Sequence, residues 1–205
     1  MTIYRLYLKL LKKYGPPKDF WKNWCKSKKN SREQEKIALG AILTQRTNWL
    51  NVELVFKNLQ KEKALSIKRI YQIGGRDRAR LENLIRPSGF YKQKAKRLFQ
   101  FCQFIVKNYG TLRDFFKQDL EACREQLLEI SGIGPETADS ILLYAGDKPI
   151  FVIDEYTRRF AKKHSISSDF SYHHLQALFQ KNLPQEVKIY RDFHAMIVID
   201  GKSGP

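Results

Sequence analysis

Leu127-Leu128-Glu129-Ile130-Ser131-Gly132-Ile133-Gly134-Pro135-Glu136-Thr137-Ala138-Asp139 is the stretch on which the fold turns. Two glycines separated by one apolar residue let the backbone reverse tightly between two helices, and Ile133 can plug between those helices and hold the pair together. Pro135 suits the first turn of the second helix. The N–H groups at the start of that helix then face outward beside glycines that carry no side chain, so a phosphate can approach closely. This is a helix-hairpin-helix reading, in which the hairpin grips the DNA backbone without reading bases. A plain αα-hairpin with Gly at its turn is the competing reading of Gly-Ile-Gly taken alone.

On either side of the hairpin, apolar residues recur three and four apart over long stretches with no sustained alternation, which makes the chain all-α. The spacing predicts helices over 2–14, 31–45, 48–60, 63–71, 77–85, 91–109, 111–117, 121–130, 135–146, 155–163, 171–181 and 185–200. Gly and Pro signals such as Gly15-Pro16-Pro17, Gly74-Gly75 and Pro87-Ser88-Gly89 mark the breaks. One segment reads differently. Lys148-Pro149-Ile150-Phe151-Val152-Ile153-Asp154 is an apolar, β-branched and aromatic run that predicts an extended, buried crossing, ending in an acid at the mouth of whatever cleft lies there. Asp154 also stands where a helix N-cap would, before Glu155, so a purely structural role competes with a chemical one.

The chain has 205 residues, with 38 Lys and Arg against 21 Asp and Glu, a net charge of +17, and 42% hydrophobic residues. That apolar content excludes a disordered chain. The surplus of positive charge implies a polyanionic partner, either nucleic acid or an acidic membrane surface. No apolar run approaches a membrane span and the first residues do not form a cleavable signal, so a soluble cytosolic protein is the expected default. The N-terminal stretch, with Ile3, Leu6, Leu10 and Leu11 among basic residues, fits a helix packed on its own domain, with a membrane-surface helix as the alternative. Cys25, Cys102 and Cys123 are odd in number and widely spaced, which suggests reduced thiols and neither a disulfide framework nor a zinc site.

Four ordered elements carry a resemblance: Leu39-Gly40-Ala41-Ile42-Leu43-Thr44-Gln45-Arg46-Thr47; Ile85-Arg86-Pro87-Ser88-Gly89-Phe90-Tyr91-Lys92-Gln93-Lys94-Ala95; the hairpin followed by Asp154; and Phe193-His194. Together they resemble the helix-hairpin-helix (HhH-GPD) DNA glycosylases, endonuclease III-like. The Arg86 to Leu98 stretch, Gly134 with Glu136 and Asp139, and Val152 to Tyr156 look most like the endonuclease III-like 3-methyladenine DNA glycosylases that lack an iron–sulfur cluster.

The resemblance implies two helical domains with a cleft between them: a central domain over 31–148 ending in the hairpin, and a second formed by 1–30 with 149–205, Asp154 lying at the junction. It implies that Asp154 is the catalytic residue, stabilising the positive sugar as the base leaves and orienting water. Bifunctional members carry a Schiff-base lysine at the second position after the last hairpin glycine. Here that position is Glu136, so a monofunctional glycosylase with lyase activity absent or weak is expected; Glu136 also fits a solvated acid favoured by the helix dipole. No iron–sulfur cluster and no metal are expected, while an alkali cation at the hairpin is beyond what the sequence reveals.

Trp49 occupies the position where the family places a base-stacking aromatic, and Trp21 and Trp24 are candidates for the opposite wall, with core packing as the alternative for all three. Gln45 and Phe90 match positions that enter the duplex, one filling the gap left by the flipped nucleotide and the other wedging beside the orphaned base. Tyr91, Lys94, Gly132, Ile133, Gly134 and Thr137 complete the expected DNA-binding set, and Lys92, Lys96 and Arg97 suit backbone contact. His194 reads equally well as an interior histidine. The implied partner is double-stranded DNA containing a damaged base, met by a monomer. The implied lesion is an alkylated purine, cationic and already a good leaving group, selected by stacking and cation–π attraction. An oxidised or deaminated base is the alternative lesion, and a non-catalytic DNA-binding protein the alternative class.

Overall fold

The computed structural model describes residues 2–203, and among them it forms thirteen α-helices and no strand. In chain order these are α1 (Ile3–Tyr14), α2 (Phe20–Cys25), α3 (Ser31–Leu43), α4 (Trp49–Lys61), α5 (Ile67–Arg76), α6 (Arg78–Ile85), α7 (Tyr91–Asn108), α8 (Leu112–Phe115), α9 (Leu120–Glu129), α10 (Pro135–Ser140), α11 (Glu155–Lys163), α12 (Tyr172–Lys181) and α13 (Val187–Ser203). No helix among the described residues is long and apolar enough to cross a membrane. Two compact units result: one spans Lys29–Ile141, and the other combines the chain up to Lys28 with the chain from Leu142 onward.

In the Lys29–Ile141 unit, α3 is the inner helix. Asn30 and Glu33 form a reciprocal capping box at its start, with bonds of 3.0 and 2.8 Å. Its last turns, Ile37 to Leu43, are buried on every side, as a helix packed all round requires. Helix α5 runs through Gly74-Gly75, where a break is expected from sequence, because Gly74 lets it lie directly on α7: a Cβ there would stand 2.7 Å from the Phe99 ring. Tyr71 stacks on the same ring at 5.8 Å between centroids.

The other unit is built on α13, whose Ile189 to Val198 stretch is buried. The apolar face of α1 (Ile3, Leu6, Tyr7, Leu10) is buried, α1 packs along α13, and Tyr7 meets Phe193 edge-on at 5.6 Å. Tyr14 and Lys13 both bond Asp200 on α13, at 2.7 and 2.8 Å. These contacts make α1 a helix of its own domain. The segment Ile150 to Ile153 crosses the unit extended and fully buried. With no strand beside it among the described residues, the backbone of Phe151 is satisfied by side chains of α12: its N–H donates to Gln180 Oε1 at 2.9 Å, and its carbonyl accepts from Gln176 Nε2 at 2.7 Å.

The unit boundary falls between Ile141 and Leu142, not at 148. It lies inside the stretch that periodicity reads as one helix over 135–146. The α-helix there ends at Ser140, and Ile141–Ala145 form a single wider π turn, a feature that often marks functional sites.

Candidate active site

The hairpin joins α9 to α10 through Gly132, whose φ of +86° is open to glycine and costly to other residues. Ile133 is buried between the helices, as its apolar character predicts, and its N–H is used inside the turn, donating to the Ile130 carbonyl at 2.9 Å. Gly132 and Gly134 remain exposed. Behind the turn, Arg124 of α9 grips the buried Asp139 of α10 through bonds of 2.7 and 3.2 Å, stapling the two helices.

Gln45, just past α3, reaches this hairpin. Its Nε2 donates to the Gly132 carbonyl at 3.0 Å and to Thr137 Oγ1 at 2.9 Å, while its Oε1 accepts from the Arg97 guanidinium at 2.5 Å. Arg97 lies over Gly132 so closely that a Cβ on that glycine would stand 2.2 Å from Nε. One amide thus ties together the α3 terminus, the hairpin and α7.

Phe90 is 59% exposed and holds φ +46°, a left-handed conformation that a bulky side chain adopts only at a cost. Gly89 before it is also left-handed, and Tyr91 after it is half-buried with the Arg86 guanidinium 5.8 Å over its ring.

Three expected DNA contacts turn inward. Lys94 is only 1% exposed, and its amine donates to the carbonyls of Ser88 and Leu43 at 2.6 and 2.8 Å. Burial, with Arg97 nearby, lowers its pKa to about 8. Thr137 is buried beneath Gln45, and the Ile133 side chain is the plug of the hairpin. Each is corrected from a DNA contact to a residue that shapes the elements around it.

In the other unit, the crossing delivers Asp154 to the start of α11. Oδ1 accepts from Thr157 N–H at 2.7 Å and from Thr157 Oγ1 at 2.9 Å, a helix cap. Oδ2 faces His194 Nε2 at 3.4 Å, and the carboxylate is 16% exposed. Burial alone would raise the Asp154 carboxyl; the His194 imidazole and the Thr157 donors outweigh it and hold the group below its ordinary value. His194 Nδ1 stands 2.6 Å from the Tyr144 hydroxyl, on the π turn.

Trp21 and Trp24 pack edge-on to each other at 5.9 Å and both meet Tyr144, at 5.7 and 5.2 Å; Trp21 also meets His194 at 6.1 Å. The structure therefore gathers Asp154, Trp21 and Trp24 into one cluster, with His194 and Tyr144 at its centre. Both tryptophans are buried. Trp49 belongs to the Lys29–Ile141 unit, half-buried at the start of α4, its indole N–H donating to Glu53 at 2.9 Å and its ring edge-on to Phe56 at 5.9 Å.

Sequence reasoning missed Tyr144 and Arg191. Arg191 is buried and bonds the Leu143 carbonyl at 3.1 Å, the Lys26 carbonyl at 2.9 Å and the Asp147 carboxylate. It thereby fixes the end of α2, which carries both tryptophans, against the π turn. Glu136 is exposed on the first turn of α10, with Ser140 donating back to its carbonyl at 2.7 Å. Among the described residues no group of three His, Cys, Asp or Glu side chains is placed to hold a metal ion, Cys102 and Cys123 are buried, and Cys25 is half-buried.

Residues 39–185 match the model of the HhH-GPD superfamily base excision DNA repair proteins. A Methanocaldococcus jannaschii protein that carries the name of a DNA repair glycosylase, MJ1434, is 42% identical over 199 residues, 96% of this chain and 85% of that one. Endonuclease III of Thermotoga maritima is 25% identical over 162 residues, 78% of this chain and 70% of its own length. Among solved structures, the 3-methyladenine DNA glycosylase MagIII of H. pylori, bound to 1,N6-ethenoadenine, gives a TM-score of 0.80 at 31% identity and covers 98% of each chain. A non-covalent endonuclease III–DNA complex gives 0.75 at 19% identity over 98% of this chain and 85% of that one, a likeness of fold.

Proposed function

This chain belongs to the HhH-GPD superfamily of base excision DNA repair proteins, and from that premise we propose that it is a monofunctional DNA glycosylase that releases an alkylated purine such as 3-methyladenine from double-stranded DNA. The observation that carries the reading is Asp154: a carboxylate kept ionised in a partly buried position, beside a packed aromatic cluster of Trp21, Trp24 and Tyr144. As the glycosidic bond breaks, positive charge grows on the sugar, and a preorganised anion in a water-poor setting stabilises that charge far more than it would in water. A purine alkylated at a ring nitrogen is cationic and departs without an acid from the protein, which suits a site that presents Asp154 as an ionised carboxylate.

Glu136 supports hydrolysis without strand cleavage, since a carboxylate at the head of α10 offers no amine for a Schiff base. The hairpin with its two exposed glycines grips the phosphate backbone, and Phe90, held out in a left-handed conformation, enters the base stack. Trp49, half-buried at the start of α4, is the candidate for stacking on a flipped base, and Gln45, like Phe90, is a candidate for entering the duplex. The 31% identity to MagIII over nearly the whole chain favours an alkylated base over an oxidised or deaminated one.

The test is base release from duplexes carrying single alkylated, oxidised or deaminated bases, with each product split with and without alkali. Release of methylpurines with breaks only after alkali is expected. Release of another base would replace the substrate, and alkali-independent breaks would refute the monofunctional assignment. Asp154→Asn, which preserves the cap on α11, should abolish release while retaining binding to damaged DNA and thermal stability. If it lowers stability and leaves the rate of the folded fraction unchanged, Asp154 is a cap and nothing more.

A further inference from the structure

Asp154 is held from two sides. Oδ1 is committed to Thr157. Oδ2 faces His194 Nε2 at 3.4 Å, longer than a formed hydrogen bond, and that nitrogen is buried with no hydrogen-bond partner. A buried polar atom in this condition is costly unless it is used.

The second ring nitrogen decides what Nε2 carries. Burial keeps the Tyr144 phenol well above its ordinary value, so the hydroxyl retains its proton. That proton goes either to His194 Nδ1, 2.6 Å away, or to the Arg191 carbonyl, 3.4 Å away. In the first arrangement the neutral imidazole carries its own proton on Nε2. In the second, Nδ1 donates to the Tyr144 oxygen, and a bare Nε2 would set its lone pair against the carboxylate unless it were protonated too. Every arrangement compatible with an ionised Asp154 therefore puts an N–H on Nε2, aimed at Oδ2.

We propose that His194 is the positioning residue for Asp154: braced by Tyr144, its Nε2–H fixes Oδ2, keeps the carboxylate turned toward the sugar carbon, and closes the remaining gap when substrate is bound. The inference rests on Asp154 being the catalytic carboxylate. The groups that face this pair are known on each side: His194 from α13, Tyr144 from the π turn and Thr157 from α11 surround Asp154, and Cys25, Arg191 and Asp192 act on Tyr144. Trp21 and Phe151 present ring edges to His194, so water has little access to the pair from those sides. With His194 removed, burial still raises Asp154 and Thr157 still opposes it, but the largest lowering influence is gone.

The experiment compares wild type with His194→Phe, His194→Gln and Tyr144→Phe. Two readouts are used: the single-turnover rate of base release against pH at saturating enzyme, and the pH titration of the Asp154 carboxyl by carbon NMR, assigned with Asp154→Asn. His194→Phe should lower the rate roughly tenfold to a hundredfold, the scale of a misplaced catalytic group, with DNA affinity unchanged. Its acid limb and the Asp154 titration should both move to higher pH. His194→Gln, which keeps a donor, should recover part of the rate, and Tyr144→Phe should shift both readouts in the same direction by less. If His194→Phe does not fold, the Gln and Tyr144 variants carry the comparison. An Asp154 titration and acid limb unmoved in the folded variants would overturn the inference. If instead Asp154→Asn retains the wild-type rate, the catalytic reading of Asp154 has failed, and the titration alone still decides whether His194 governs the carboxylate.

Discussion

The Lys94 amine lies 2.6 Å from the Ser88 carbonyl oxygen and 2.8 Å from that of Leu43, so one buried side chain joins the turn before Phe90 to the end of the helix before Gln45. A cation is also well placed at the C-terminus of α3, where the last carbonyls lack helical partners. Lys94→Met should leave two buried carbonyls unpaired and destabilise the protein by about 2 kcal/mol. Because both tethered segments precede residues expected at the duplex, base release by the folded variant should fall as well. Denaturant unfolding and single-turnover kinetics measure the two effects, and a loss of stability with full activity would show that the tether is structural only.

The same lysine makes stability depend on pH with a definite sign. The unfolded chain holds the Lys94 proton up to its ordinary value near 10.5, while the folded protein releases it near 8. Between those values the unfolded state binds more protons, so this group adds stability as pH rises, by roughly 3 kcal/mol in all. The neutral amine keeps protons for both carbonyls, so the contact survives the change. In the unfolded chain tyrosine and cysteine side chains ordinarily titrate in the same range. The quantity to measure is therefore the stability of wild type minus that of Lys94→Met, which should grow between pH 8 and 10; a flat difference would show that the amine titrates normally.

Phe90 sits 59% exposed at φ +46°, an arrangement that benefits folding in neither respect. Relief of that backbone strain should make Phe90→Gly more stable by about 1 kcal/mol. The same variant should release a paired lesion more slowly and lose less on a lesion already unpaired, since the wedge acts by opening the stack. Thermal unfolding and paired against single-stranded substrates test this, and equal losses on both would remove Phe90 from the flipping step.

What the sequence made legible was local. Gly-Ile-Gly and the proline after it announced the hairpin, and the β-branched run from Ile150 to Ile153 announced an extended crossing that ends at Asp154, because both are signals carried by neighbouring residues. The rest depended on partners far along the chain. Tyr144 and His194 are 50 positions apart; Phe193-His194 is noted in the sequence without a role for the ring, and Tyr144 does not stand out until the two face each other at 2.6 Å. Helix α2 has six residues and forms where Trp21 and Trp24 pack on Tyr144, so no periodicity could predict it. Lys94 reads from sequence as a DNA contact and Arg191 as one more charge in a chain with 38 basic residues, and only tertiary packing turns them inward.

Arg124 and Asp139 test whether the hairpin is stiff because its two helices are stapled. Asp139 is fully buried, and the Arg124 side chain is 21% exposed. Arg124→Met removes the cation and leaves the carboxylate in place, a change that costs about 3 kcal/mol or more at buried pairs, whereas replacing both partners with apolar residues of similar volume costs much less. Arg124→Met should therefore destabilise strongly, and Arg124→Met combined with Asp139→Leu should recover most of the loss. Affinity for undamaged duplex supplies the functional readout. If the staple holds the exposed glycines in register for the phosphate backbone, the single variant should bind more weakly at a temperature where it is folded, and the double variant should bind nearly as wild type. Weak binding by both would mean that the charge on Arg124 contacts DNA itself, since the double variant restores packing but not the cation.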